Sequence, residues 1–167
     1  AFAGLKYSAE TLTASDGVRL VAWWIPAPDP RSPVVLFFHG NACNLSGLVD
    51  LAKEWHALGV GFAAVDYRGY GGSGGTPSES GLRRDALAAH GWVTGPHGIA
   101  ANRLFLWGQS LGSGVASGLA AERPCAGLIL ESAFPSLHAM ARLHYPLLPV
   151  PGFLLFDRFR TADQAAR

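Results

Sequence analysis

Apolar residues follow two alternating patterns along the chain, short continuous runs and longer segments in which they recur at helical spacing. The continuous runs predict strands at residues 18–25, 34–38, 60–65, 104–107 and 128–130. The run at 34–38 is apolar at every position, which is typical of a parallel strand that is buried on both faces.

Three segments between these runs predict helices. Asn44 is a candidate cap for a first helix that stops at Gly59, and Ser78 is a candidate cap for a second helix that continues to Val93. A third helix is predicted at 111–122, with Pro124 just beyond it. Strands that alternate with helices indicate βαβ crossovers, so we predict an α/β fold with a mostly parallel sheet and helices on both faces. Ligands of such sheets bind beyond the carboxyl ends of the strands.

Composition narrows the classes of function. The chain has 167 residues, of which 49% are hydrophobic and 15% charged, so we expect residues 1–167 to form a single domain with a large core. A net charge of +1 offers no basic face, so we expect no nucleic-acid partner and a neutral or apolar small-molecule substrate. Cys43 and Cys125 fit no metal or redox spacing, and we predict two free thiols and no metal site.

Membrane association and cell compartment are not indicated by these residues. The longest apolar stretch, residues 146–156, contains three prolines and is too short to cross a bilayer. We therefore expect any targeting or membrane segment to lie outside this chain.

Two serines fit the pattern Gly-x-Ser-x-Gly, which needs its structural context because the chain contains 21 glycines. A nucleophile elbow has a strand directly before the serine and a helix directly after it. Ser110 has both neighbours, and we predict a catalytic nucleophile there rather than a structural turn. Ser73 has neither, and we predict a turn residue at that position.

The glycine-rich segment around Ser73 also matches the dinucleotide fingerprint G-x-G-x-x-G at residues 69–74. That fingerprint opens a helix at once and is followed about 20 residues later by an acidic residue at the end of a strand. Position 89 falls inside a predicted helix instead. We therefore interpret the segment as a flexible turn near the ligand edge of the sheet, and we predict no cofactor.

Acyl transfer also needs hydrogen-bond donors for a developing oxyanion. One donor in a nucleophile elbow is the backbone N–H of the next residue, here Leu111. The segment His39-Gly40-Asn41 ends a buried strand, and its glycine can turn the chain so that the Asn41 N–H points at the site. A simple strand-end turn is the alternative for this segment taken alone.

Four motifs in order carry a family resemblance: FFHGNA, DYRGYGGSGGTPSESGL, WGQSLGSGVA and LILESAFPSL. With them the chain resembles the alpha/beta-hydrolase superfamily, in the branch of alpha/beta-hydrolase domain-containing depalmitoylases and serine aminopeptidase-like hydrolases. The resemblance implies that Ser110 is the nucleophile of a serine hydrolase and that Asn41 and Leu111 supply the oxyanion-hole amides. It implies cleavage of an ester, thioester or amide through an acyl-enzyme, without a cofactor.

The chain departs from the family in its triad, which runs serine, acid, histidine along the sequence. After Ser110 the only histidines are His138 and His144, and Asp157 and Asp163 follow both, so the order serine, aspartate, histidine is not completed. We expect the fold to lack its last two strands here, the triad acid and histidine to lie beyond residue 167, and the 167 residues alone to be nearly inactive. His138 or His144 is the alternative base.

Two further alternatives stay open. Residues 145–156 could form an apolar lid over an acyl pocket or a proline-stiffened connection against the core. The whole chain could also be a non-catalytic binding module on a hydrolase scaffold, because a fold alone does not grant a function.

Overall fold

The computed structural model describes residues 4–135, which form a six-stranded sheet with helices on both faces. The strands are β1 (Ser8–Thr13), β2 (Arg19–Ile25), β3 (Val34–Phe38), β4 (Gly61–Val65), β5 (Leu104–Gln109) and β6 (Gly127–Glu131). The helices are α1 (Val49–Ala57), α2 (Glu79–Thr94) and α3 (Leu111–Ala120), with 3₁₀ turns at Leu45–Leu48 and Ala101–Arg103.

The strands lie in the order β1-β2-β4-β3-β5-β6. The four strands β4, β3, β5 and β6 run parallel to one another, whereas β2 runs antiparallel to both of its neighbours, β1 and β4. This confirms the predicted α/β class with a mostly parallel sheet. In the described part of the chain β6 pairs with β5 alone, and Ile129 on it is exposed.

The central strand β3 contributes side chains to a hydrophobic core on each face of the sheet, because successive side chains of a strand point to opposite faces. Val35 and Phe37 pack with Ala52 of α1 on one face. Leu36 and Phe38 pack on the other face with apolar residues of α2 and α3, namely Leu82, Ala86, Ala89, Val93, Val115, Ala116 and Leu119. All five residues of β3 are buried, as predicted for a central parallel strand.

The predicted helix starts and stops are largely confirmed. The Ser78 hydroxyl accepts a hydrogen bond from the Gly81 N–H at 3.2 Å and caps α2. Gly59 follows α1 with φ of +81°, a left-handed conformation that suits glycine. Asn44 caps the 3₁₀ turn by accepting from the Ser46 N–H, so the predicted first helix is divided into a 3₁₀ turn and α1.

An ion-pair network, buried at Arg68 and Asp85 and exposed at Asp16, fixes the chain after β4 to α2. The Arg68 guanidinium donates to Asp85 on α2, which is fully buried, and to Asp16 in the turn between β1 and β2. The hydrogen bond from Arg68 lowers the pKa of Asp16 to about 2. The network thus holds the start of the glycine-rich turn that follows β4.

Candidate active site

Ser110 stands on a sharp bend between β5 and α3. Its φ of +50° and ψ of −116° lie in a region that non-glycine residues rarely adopt, because the Cβ approaches the following carbonyl. Strand β5 ends at Gln109 and helix α3 begins at Leu111, so the predicted strand–serine–helix context is confirmed. Strained residues of this kind cluster at functional sites.

The two glycines of the motif are required by close packing. A Cβ on Gly108 would overlap the carbonyl of Gly112, and a Cβ on Gly112 would overlap the carbonyl of Phe38 at the end of β3. Helix α3 therefore starts in direct contact with both β5 and β3. This contact sets the position of its first N–H groups relative to Ser110.

The loop after β3 lies against Ser110. A Cβ built on Gly40 would be 3.5 Å from the Cβ of Ser110, an ordinary van der Waals contact. Within residues 4–135, neither the Asn41 N–H nor the Leu111 N–H has a hydrogen-bond acceptor. The first N–H groups of a helix have no partner in the helix itself, which explains the free Leu111 donor.

His39 holds the loop that follows β3 and contains Gly40 and Asn41, the candidate oxyanion loop, from inside the protein. The ring is completely buried, and Nδ1 lies 2.8 Å from the Gly40 carbonyl, which can only accept, so Nδ1 carries a proton and donates. Nε2 faces Asp66 Oδ1 at 3.4 Å. The Tyr67 hydroxyl donates to the His39 carbonyl at 3.0 Å. His39 is thus a buried residue that is bonded to the backbone of this loop.

Asp66 and Tyr70 are two further residues of the site that the sequence alone did not reveal. Asp66 follows β4 and accepts a hydrogen bond from the Leu45 N–H at 2.9 Å, which fixes the far end of the same loop. The Tyr70 hydroxyl donates to Asn41 Oδ1. Burial raises the pKa of Tyr70, so its phenol stays protonated and can donate at neutral pH. Asp66 and Tyr70 follow β4, and they reach the loop after β3 because β3 and β4 are neighbours in the sheet.

Ser73 has a structural role, in agreement with its interpretation as a turn residue. Its hydroxyl donates to the Asp66 carbonyl at 2.7 Å and accepts from the Val21 N–H at 2.9 Å. The glycine-rich turn contains left-handed residues at Gly69, Gly71 and Gly75. The turn is therefore held by hydrogen bonds, and no helix follows it at once, as a dinucleotide fingerprint would require.

The other histidines of the described residues lie away from the elbow. His56 is in α1, and His90 in α2 lies 3.2 Å from the Pro124 carbonyl. His97 follows α2 and stacks on Trp24 with ring centroids 4.0 Å apart. The alternative bases and acids His138, His144, Asp157 and Asp163, like the lid or connection at 145–156, lie outside the described residues.

A cleft of about 360 Å³ lies at the amino ends of the parallel strands, opposite to the end where Ser110 lies. It is lined by Trp24, by Val34 at the start of β3 and by Arg103 just before β5. Ser110 lies at the carboxyl end of β5, which is the end where α/β sheets bind ligands. This cleft is thus separate from the candidate active site.

The family assignment follows from comparison with known proteins. The sequence profile of the family described as serine aminopeptidase, S33, matches residues 29–155, well over half of the chain. The chain belongs to this family of alpha/beta hydrolases. The profile includes the oxyanion loop, the glycine-rich turn and the elbow, so the site described above lies within the matched part of this S33 hydrolase.

Two relatives are similar to most of this chain. An uncharacterized protein of Mycobacterium tuberculosis is 43% identical over 152 residues, which are 90% of this chain and 54% of that protein. Lysophosphatidylserine lipase ABHD12 of Gallus gallus is 40% identical over 129 residues, 73% of this chain and 33% of that protein. The S33 hydrolase chain thus spans about half, or less, of the length of these relatives.

A solved structure shows the same fold. The alpha-beta hydrolase of Vibrio vulnificus superposes with a TM-score of 0.81 at 24% identity, and the match covers 99% of this chain and 61% of that one. Among residues 4–135 of the S33 hydrolase, no three ligand-type side chains are grouped to hold a metal ion, and no helix there is long and apolar enough to cross a membrane.

Proposed function

We propose that Ser110 is the nucleophile of a serine hydrolase that cleaves an ester, thioester or amide through an acyl-enzyme. The observation that carries this proposal is the strained elbow, with φ of +50°, beside a loop that touches it. The Asn41 and Leu111 N–H groups, which have no acceptor among residues 4–135, are the proposed oxyanion donors.

The reaction follows from these groups. Ser110 Oγ attacks the substrate carbonyl carbon while a histidine accepts its proton, and the carbonyl electron pair moves onto oxygen, where the two amides donate to it. The intermediate collapses, the bond to the leaving group breaks, and the histidine gives its proton to the departing alcohol, thiol or amine. A water molecule then hydrolyses the acyl-enzyme by the same steps and restores Ser110.

The acid and histidine of the triad are proposed to lie beyond residue 167. No aspartate precedes a histidine between Ser110 and the last residue, and the chain spans 54% of its relative from Mycobacterium tuberculosis. Loss of the base of a serine hydrolase lowers turnover by about 10⁶. The 167 residues alone are therefore expected to show almost no turnover.

The proposed substrate is a small molecule with an apolar acyl group. The low charged fraction of the chain, 15%, and the names of two similar proteins, a lysophosphatidylserine lipase and an esterase of Pyrococcus furiosus, support an acyl substrate. An ester is the simplest member of this class to test.

Labelling of the full-length protein with a fluorophosphonate probe tests the nucleophile. We expect the wild-type protein to be labelled and Ser110→Ala to lose the label completely, because the probe bonds only to an activated serine. Ser73→Ala tests the other Gly-x-Ser-x-Gly serine, and Ser80→Ala is a control on the exposed face of α2. Both are expected to keep the label.

Two outcomes would contradict the proposal. Labelling that persists in Ser110→Ala would place the nucleophile elsewhere. A folded full-length protein that takes up no label at all would favour the non-catalytic binding module.

A further inference from the structure

A second serine, directly after the neighbouring strand, has the same positive φ as Ser110. β5 and β6 are parallel, with Gln109 opposite Glu131, so the residues that follow them, Ser110 and Ser132, occupy equivalent positions. Both have φ of +50°, and within residues 4–135 no other non-glycine residue has a positive φ. The unusual conformation is thus found at two adjacent strand ends.

Hydrogen bonds fix these two strand ends to each other. The Ser110 N–H donates to the Glu131 carbonyl at 2.9 Å, and Gln109 Nε2 donates to Glu131 Oε1 at 2.9 Å. Because Ser110 is bonded to the carbonyl of the residue before Ser132, the backbones of the two serines are adjacent. Ser132 is exposed, and its hydroxyl has no hydrogen-bond partner in the described part of the chain.

The sheet order places Ser132 on the side of Ser110 away from the oxyanion loop. That loop follows β3, and β5 lies between β3 and β6. With the carbonyl oxygen of an ester directed to Asn41 and Leu111, the acyl chain and the alcohol portion occupy the remaining directions around the reacting carbon. Ser132 follows β6 and is therefore a polar residue on that side of Ser110.

We propose that the Ser132 hydroxyl binds the alcohol portion of the substrate and selects esters whose alcohol carries hydrogen-bonding groups. An acyl chain offers nothing to a hydroxyl, whereas a polyol alcohol presents donors and acceptors close to the scissile bond. An ester of a simple alcohol leaves the exposed Ser132 hydroxyl bonded to water and gains no hydrogen bond from it, so esters whose alcohol carries a hydroxyl group are favoured. This inference rests on the proposed function of Ser110.

Two esters with the same acyl group, 1-butyrylglycerol and ethyl butyrate, test the proposal in the full-length protein. Ser132→Gly removes the hydroxyl and tolerates a positive φ, so the backbone is preserved. We expect kcat/KM for 1-butyrylglycerol to fall about 5- to 10-fold, the usual effect of one lost neutral hydrogen bond. For ethyl butyrate we expect a change of less than about 2-fold.

A second variant and a separate readout keep the outcomes distinct. Ser132→Ala removes the same hydroxyl but retains the backbone strain, and it should show the same selective loss. Equal losses on both esters, or no loss on either, would overturn the inference. Fluorophosphonate labelling of Ser110 should persist in both variants. If the wild-type protein itself is not labelled, the proposed function fails; if it is labelled and selectivity is unchanged, only the role of Ser132 fails.

Discussion

The backbone conformation of Ser110 matters to the proposed chemistry as much as its side chain does. A positive φ with ψ of −116° costs a non-glycine residue about 1–3 kcal/mol, and the surrounding contacts must hold it in place. The bend lifts the residue off the end of β5 and leaves the Leu111 N–H without a helical partner. A hydroxyl and an N–H donor are thereby presented together by two consecutive residues.

The Tyr70–Asn41 hydrogen bond is predicted to hold the oxyanion loop in its active position. Tyr70→Phe removes the donor and leaves the ring, so we expect kcat of the full-length protein to fall about 5-fold with little change in KM, since one neutral hydrogen bond contributes about 1 kcal/mol. Steady-state hydrolysis of a soluble ester measures both constants.

A double-mutant cycle is the control for this pair. Asn41→Ala removes the acceptor and keeps the backbone N–H. If the two side chains act only through their hydrogen bond, kcat of the double variant should be no lower than that of the slower single variant. Losses that multiply in the double variant would show that Tyr70 acts on activity by another route.

At the scale of elements, the start of α3 depends on its contact with the end of β3. Gly112→Ala places a Cβ onto the Phe38 carbonyl, and a backbone atom cannot move aside as a side chain can. We expect the free energy of unfolding to fall by about 3 kcal/mol, at the upper end of the usual cost of overpacking. Urea unfolding of the full-length protein measures it.

Gly91→Ala is the matched control for that substitution. Gly91 lies in α2, is exposed, and a Cβ there would meet nothing within 4 Å. Alanine is the better helix former, so this variant should gain about 0.5–1 kcal/mol. If Gly112→Ala unfolds at the same urea concentration as the wild type, α3 does not approach β3 as closely as described.

Elements with a strong apolar pattern could be predicted from the sequence, and those without one could not. β3 and β4 are apolar throughout and were predicted to within one residue. β1 was missed because Leu12 is its only buried residue; it is stabilised by pairing with β2 along its whole length. That pairing is a tertiary contact and leaves no periodic signal in Ser8–Thr13.

At the scale of the whole molecule, the Arg68 network links stability to pH. The hydrogen bond from Arg68 lowers the pKa of Asp16 from an ordinary 3.8 to about 2. As the pH falls below about 4, the unfolded chain takes up a proton at Asp16 before the folded protein does. The stability that Asp16 contributes is therefore fully present above that range and is lost as the pH falls toward 2.

Asp16→Asn should lower the melting temperature at neutral pH and flatten its decline between pH 4 and pH 2, the interval between the two pKa values. Thermal unfolding of the wild type and the variant across this range measures the difference. Parallel curves for the two proteins would mean that Asp16 does not interact with Arg68 in solution.

The site could be predicted from the sequence only where its residues form local motifs. Ser110 and Leu111 belong to one strand–turn–helix unit, and their context was read correctly. The ring of His39 against Asp66 and the bond from Tyr70 to Asn41 join residues that are distant in the chain. These contacts depend on β3 and β4 being neighbours in the sheet, and spacing along the chain does not reveal that.

The central claim is that Ser110 forms the acyl-enzyme, and rapid-quench mass spectrometry of the full-length protein with p-nitrophenyl butyrate tests it most directly. We predict a butyryl group on the peptide that contains Ser110, formed as fast as the first burst of p-nitrophenol is released. Turnover with the butyryl group on another residue, or with no covalent adduct during the burst, would contradict the account.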